Sequence, residues 1–213
     1  MKVTLFGTTG TTGRYLIDEA LKRGIDVTLV ARPSSLFENA KVNIVRGELT
    51  DSALLREAIS GSDAVLSALG PTTLRHPEDL PITRATEAII SAMKQTQVQR
   101  LIAVSTGTAA DPGDRFDWKI GLPALLIKHM MRSCYNDILG LARVIRASEL
   151  EWTMVRVAFL KNHPASAHLN VGLYGVSRHS LTVNRENVAK FMFDQITDRR
   201  YIHQAPGIST KEV

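Results

Sequence analysis

The chain has 213 residues, 44% hydrophobic and 22% charged, a composition that excludes a disordered protein and allows one domain with a sizeable core. Its formal charge is +5, but the 26 basic residues are scattered and no five-residue block is purely Lys and Arg, so a nucleic-acid face is not expected. Cys134 is the only cysteine, which excludes an internal disulfide and a thiolate metal cluster and suits a reducing, cytoplasmic setting.

No apolar run approaches the ~18 residues of a membrane span. The longest, residues 120–127 (IGLPALLI), is short and carries Pro123, and no leader precedes the first strand-like run, so no membrane partner is expected. That first run is Val3 to Phe6. Three evenly spaced glycines follow, and then residues 14–24 place Leu16, Ile17, Ala20 and Leu21 at helical spacing, with Gly24 suited to a left-handed helix end. Residues 25–32 (IDVTLVAR) read as a second strand. Strand, turn, helix and strand together span roughly thirty residues, the size of a right-handed crossover.

The alternation continues along the chain. Strands are predicted at 42–47, 63–70, 100–106 and 152–160. Helices are predicted at 51–61, capped by Thr50 or Asp51 and stopped by Gly61, and at 82–97. A long helical stretch covers 126–148, with a break expected near Gly140, and a further helix covers 184–198. Residues 201–207 (YIHQAPG) read as an edge strand. Two segments interrupt the rhythm, 107–123 and 161–181; both are rich in turn-forming residues and follow strands, where loops cover ligands on such sheets. The expected fold is α/β, a doubly wound parallel sheet in a single domain over 1–213, with 158–213 contributing a small substrate-side region.

The glycine turn is the strongest signal. Gly7, Gly10 and Gly13 stand between the first strand and the first helix, a G-x-x-G-x-x-G variant of the dinucleotide fingerprint. Glycines let the backbone approach a pyrophosphate, and a helix N-terminus offers free N–H groups and a positive dipole end. Thr9, Thr11 and Thr12 add hydroxyls for phosphate or for capping. At the end of the second strand a chain that prefers NAD places Asp or Glu to hold the ribose 2′-OH. Here stand Val30, Ala31 and Arg32, followed by Ser34 and Ser35, and no carboxylate before Glu38. A guanidinium beside hydroxyls suits a 2′-phosphate, so the predicted cofactor is NADP. Glu48 and Leu49 end the third strand, one placed to hydrogen-bond adenine and the other to pack on it. Ala68, Leu69 and Gly70 end the fourth, where small residues admit the ribose.

These stretches, FGTTGTTG, RGELTD, DAVLSALG, RLIAVST, ASELEWTMVRVAFL and NRENVAKFM, occur in the order seen in atypical short-chain dehydrogenases/reductases. The chain is similar to the group that holds flavin reductase (biliverdin reductase B) and the NmrA-like proteins, over nearly its whole length. The resemblance implies a Rossmann-type fold binding NADP. It also implies a catalytic Ser after the fifth strand, matched by Ser105 with Thr106 beside it, and a Tyr-x-x-x-Lys on the next helix. Tyr135 stands at the tyrosine position, but Leu139 replaces the lysine. Arg132, Lys128 and Arg143 lie at other helical positions. The lysine normally lowers the tyrosine pKa, and a tyrosine at its reference value of about 10 is a poor acid at neutral pH. Tyr135 therefore has two readings, catalytic acid or packing and substrate contact. Flavin reductases of this group manage without the pair, because hydride transfer to a conjugated acceptor needs mainly proximity and orientation.

Two functions follow from the resemblance. One is an NADPH-dependent oxidoreductase acting on a flavin, quinone or similar small acceptor. The other is a non-catalytic NmrA-like sensor of NADP acting through a protein partner. A nucleotide-sugar epimerase is disfavoured by the same missing lysine. The six histidines, His76, His129, His163, His168, His179 and His203, show no metal-ligand spacing, so no metal is expected, and no G-x-S-x-G elbow appears. Trp152 and Phe159 flank a strand and read as core, whereas Phe116 and Trp118 are candidates to line a substrate pocket. The segment NHPASAH after the sixth strand is placed to approach the nicotinamide side.

Overall fold

The computed structural model describes residues 1–71, 73 and 75–210. Ten strands and six helices are defined among them. The strands are β1 (Lys2–Phe6), β2 (Asp26–Ala31), β3 (Asn43–Arg46), β4 (Ala64–Ser67), β5 (Arg100–Thr106), β6 (Glu151–Val157), β7 (Phe159–Lys161), β8 (Leu169–Gly172), β9 (Thr182–Asn184) and β10 (Gly207–Thr210). The helices are α1 (Thr11–Lys22), α2 (Ser52–Ile59), α3 (Pro81–Gln95), α4 (Trp118–Met130), α5 (Arg132–Arg146) and α6 (Arg185–Asp194).

Eight strands form one sheet in the order β3-β2-β1-β4-β5-β6-β10-β8. All neighbours are parallel except β10 with β8. This is the doubly wound Rossmann-type fold, and chain order reverses between β1 and β4. β7 and β9 form a separate parallel pair.

Strand pleating divides the core into two layers. Val3 and Leu5 of β1 and Val27 and Leu29 of β2 pack on one face with Leu16 and Ile17 of α1 and Val188 and Met192 of α6. Phe6 and Val30 point the other way, to Leu55 of α2, Ile89 and Met93 of α3 and Ile145 of α5. Thr4 is buried on the strand because its hydroxyl is bonded to Ala58 O and to Ser62 Oγ, both at 2.8 Å. Asp51 caps α2 by accepting from Ala53 N and Leu54 N. Gly24 and Gly61 both take positive φ, as helix ends require.

Four expectations are corrected. The long helical stretch breaks at Met131, between α4 and α5, and not near Gly140. Gly140 lies within α5 because α3 presses on it: a Cβ there would stand 2.3 Å from Thr83 Oγ1. The segment 107–123 is not loop throughout, since Asp117 caps α4 by accepting from Lys119 N at 3.0 Å. The segment 161–181 contains β8. Residues 201–203 form a turn and Gln204 makes only an isolated parallel bridge to Thr153, rather than an edge strand, and the strand that follows, β10, lies inside the sheet between β6 and β8.

Candidate functional site

The three glycines of the turn answer to different constraints. Gly7 has φ +74°, and a Cβ on it would meet the Ala68 carbonyl at 2.6 Å, so β1 can leave the sheet here only because the side chain is absent. A Cβ on Gly13 would meet Thr8 Cα at 2.2 Å, so this glycine seats α1 against the turn. Gly10 differs from both: its φ is −82°, and a Cβ would meet only Gly7 O, at 3.5 Å. Packing does not demand a glycine at this point. What it keeps open is the space in front of the α1 N-terminus, where no side chain caps the free N–H groups.

That space is a cleft at the carboxyl ends of β1 and β4, where the strand order reverses. Gly7, Gly10, Thr11 and Thr12 line its central part, together with Ala68, Leu69 and Gly70. Thr9 and Arg32 line one end with Val30 and Leu49. Ser105 and Thr106 line the other. Three predicted residues stand outside the cleft lining. Gly13 lies behind the turn. Ser35 belongs to a tight turn whose Ser35 N bonds Arg32 O at 2.9 Å, and its hydroxyl accepts from Phe37 N. Glu48 is exposed, so of the pair at the end of β3 only Leu49 faces the cleft.

The Ser105 end opens into an apolar cavity of about 250 Å³. Thr106, Ile138, Val157 and Ala158 belong to both spaces. Tyr135 and Cys134 of α5, Ile120, Pro123 and Ile127 of α4, Phe159 and Leu181 complete the cavity walls. Ser105 is buried and its Oγ has no hydrogen-bond partner, so a donor–acceptor group is held ready at the junction. Tyr135 faces the cavity, whereas Leu139, one turn on, packs against the core. Phe159 is not core, being 58% exposed at the cavity mouth; Trp152 is buried. Phe116 is exposed outside these cavities, and Trp118 lines a separate shallow groove beside His179 and Leu181. His163 and His168 do not line the cleft, and their segment is tied instead to α6 through Ala165 N to Glu186 Oε2 and Ser166 N to Asn187 Oδ1.

An NAD(P)H-binding family profile matches residues 7–199, which is most of the chain and both ends of the cleft. The chain belongs to the NAD(P)H-binding family. Phenylcoumaran benzylic ether reductase 1 of Arabidopsis thaliana is 22% identical over 92% of this chain and 61% of its own length. A short-chain dehydrogenase/reductase of Veillonella parvula, solved in complex with NADP, has a TM-score of 0.75 at 19% identity, covering 98% of this chain and 94% of that one. ChuY of Escherichia coli O157:H7, named an anaerobillin reductase, has a TM-score of 0.77 at 16% identity, covering 100% of this chain and 98% of that one. The solved structures share the fold. The chain spans less than two thirds of the length of the curated relatives it matches.

Within this NAD(P)H-binding fold the sequence reading missed several residues at the cleft. Arg185, the first residue of α6, lines the central part together with the glycine turn. Its Nη1 donates to Leu160 O and to Asn162 Oδ1, but its buried Nε has no partner. The motif NRENVAKFM marked this stretch without giving the arginine a task, because what aims it, Leu160 in the three-residue β7 and Asn162 after it, is too short to carry a periodicity. Arg75 and His76 line the Arg32 end, on the segment joining β4 to α3. His76 is held by Asp137 of α5, Nε2 to Oδ2 at 2.6 Å. The same carboxylate accepts from Ile82 N, Thr83 N and Thr83 Oγ1, so α5 supplies the cap that α3 lacks. Burial pushes the Asp137 carboxyl up, but the bonds from Thr83, His76 and the backbone outweigh it and hold it below the usual carboxylate range.

The arginine of WTMVRV, Arg156, is fully buried behind the cavity and touches no cleft. It pairs with Asp114 through both terminal nitrogens, Nη2 to Oδ1 at 2.7 Å, and its Nε donates to Ala205 O at 2.6 Å. Tyr174 stacks under the guanidinium, 4.6 Å from its centre, and donates its N–H to Asp114 Oδ1. Burial raises Asp114, while Arg156 and two backbone N–H groups lower it further, so the carboxyl sits below its ordinary value. Among the described residues, no three His, Cys, Asp or Glu side chains are grouped so as to hold a metal ion. No helix described is long and apolar enough to cross a membrane.

Proposed function

We propose that the protein is an NADPH-dependent reductase that passes a hydride to a flavin, quinone or similar flat conjugated acceptor. The observation that carries this reading is the apolar cavity opening onto the Ser105 end of the cleft, with little polar lining besides Thr106, Thr108, Lys119 and Tyr135. In this reading the α1 N-terminus and Gly10 receive the pyrophosphate, and the unpartnered Nε of Arg185, which lines the same part of the cleft, meets it as well. Arg32, joined by Arg75, takes the 2′-phosphate, with Leu49 against the adenine. Ser105 and Thr106 orient the nicotinamide ring toward the cavity. When bound, NADPH supplies two electrons and one proton as hydride. The chain's residues hold the ring and the acceptor in contact and keep water out. The second proton comes from solvent, so a reduction of this kind does not need the Tyr-Lys pair. Phenylcoumaran benzylic ether reductase 1 and ChuY are both named as reductases, which supports the same class.

The experiment is a pair of titrations. NADPH and NADH binding are followed by fluorescence for the native chain and for Arg32→Ala, and NADPH oxidation is then followed with FMN and a panel of quinones. The expected result is turnover on at least one acceptor, with Arg32→Ala weakening NADPH roughly tenfold or more and NADH little, the loss of one charge-assisted phosphate contact. Equal loss for both nucleotides would refute the 2′-phosphate role. Tight NADPH binding without turnover on any acceptor would favour the sensor instead, a reading that the core-packed Leu139 supports.

A further inference from the structure

α4 has no buried residue along its 13 positions, yet it is apolar on nearly every side. Its residues fall into two stripes at helical spacing. Ile120, Pro123, Ala124, Ile127 and Met131, just past its end, form the inner stripe, half-buried against the apolar cavity. Trp118, Leu122, Leu125, Leu126 and Met130 form the outer stripe, from 51% exposed at Leu125 to 81% at Met130. Phe116, just before the helix, is 90% exposed. No other helix of the molecule leaves such a stripe uncovered among the described residues.

Charge selects the occupant. Lys119 and Lys128 fall on opposite flanks of the outer stripe, Arg115 precedes it, and His129 and Arg132 lie at its far end. No acidic residue occurs between Asp117, which caps the helix, and Asp137, which is buried. An apolar stripe with a tryptophan at one end and cations on both flanks matches the boundary between acyl chains and anionic headgroups. A symmetric pairing of two copies through this face would bring the same cations together, at a repulsive cost. The helix is about 20 Å long, enough to lie in the interface and too short to cross a ~30 Å core.

We propose that α4 docks the protein on an anionic lipid surface, its outer stripe entering the headgroup boundary while its inner stripe stays the wall of the cavity. The cavity then opens beside the bilayer, where apolar molecules dissolve. The docking stands whether or not the chain turns over an acceptor.

The full chain is titrated with vesicles of phosphatidylcholine alone and of phosphatidylcholine mixed with phosphatidylglycerol. Co-sedimentation and tryptophan fluorescence are recorded; Trp152 is buried, so a blue shift reports Trp118. The expected result is sedimentation with a blue shift on the anionic vesicles, both weakened by salt. Leu125→Glu abolishes them, and the paired change Lys128→Glu with Arg132→Glu weakens them roughly tenfold or more. Trp118→Phe removes the shift and keeps the sedimentation. Leu125 is exposed, so its variant keeps the native far-ultraviolet spectrum. No association with anionic vesicles, or equal association with neutral ones, would overturn the proposal. So would a concentration-dependent dimer that Leu125→Glu dissociates in the absence of vesicle binding.

Discussion

Gly10 and Gly13 look equivalent in the sequence and are opposites in the structure. A methyl on Gly13 has nowhere to go, since Thr8 Cα would lie 2.2 Å away. A methyl on Gly10 clashes with nothing in the protein and would occupy the space in front of the α1 N-terminus, the proposed pyrophosphate site. Gly13→Ala should therefore lower stability by several kcal/mol, read by urea unfolding. Gly10→Ala should leave the unfolding midpoint almost unchanged and weaken NADPH at least tenfold by titration. If the two variants behaved alike, the distinction drawn from their surroundings would be wrong. The spacing of three glycines announced a nucleotide turn; the packing around each one divides the labour. Arg32 was legible because it ends a strand at a known place in the unit. Arg185 was not, because it reaches the cleft from far along the chain, on a helix whose packed face is its evident reason for being.

At the level of elements, most of the layering could be read from hydrophobic periodicity. β1, β2, β4 and β5 are short runs with both faces buried, and α1, α3 and α5 carry one apolar stripe each. The errors fall where local preference lost to tertiary packing. Gly140 looked like a break, but α3 requires it within a helix. β10 has two polar residues, Ser209, whose hydroxyl accepts from Ser180 N, and Thr210, whose hydroxyl donates to Thr182 O, so its strand carries little hydrophobic signal. Segment 107–117 is shaped by Arg156 through Ala109 O and Asp114. Arg156→Met would leave Asp114 partly buried without its cation, and we expect a loss of about 3 kcal/mol in urea unfolding. The acid limb of stability tests the same pair. Asp114 and Asp137 titrate lower in the folded protein than in the unfolded chain, so the stability they contribute is fully present above the unfolded value of about 4. It is lost as the pH falls through the lower folded values, and the loss should be shallower in Arg156→Met.

For the molecule as a whole, the cleft runs between the two halves of the sheet, and its walls come from the segments that follow β1 and β4 and from β5, β6, β7, α1, α5 and α6. A ligand there touches several of these elements at once. NADPH at a hundred times its dissociation constant should add about 2.7 kcal/mol to stability. For a chain of this size that raises the melting temperature by roughly 5–10 °C in a thermal scan. Gly10→Ala should melt at the native temperature without the nucleotide and lose most of the rise with it. An unchanged rise would place the nucleotide elsewhere.

α5 carries Tyr135 on the cavity and, two residues later, Asp137 clasping His76 and the first turn of α3. The apolar cavity and the segment that brings Arg75 and His76 to the Arg32 end of the cleft are thus mounted on one lever. Any ligand whose fit depends on the tilt of that lever changes the affinity of the other site, and reciprocity makes the two factors equal. Cofactor and acceptor would then be thermodynamically coupled partners rather than independent tenants.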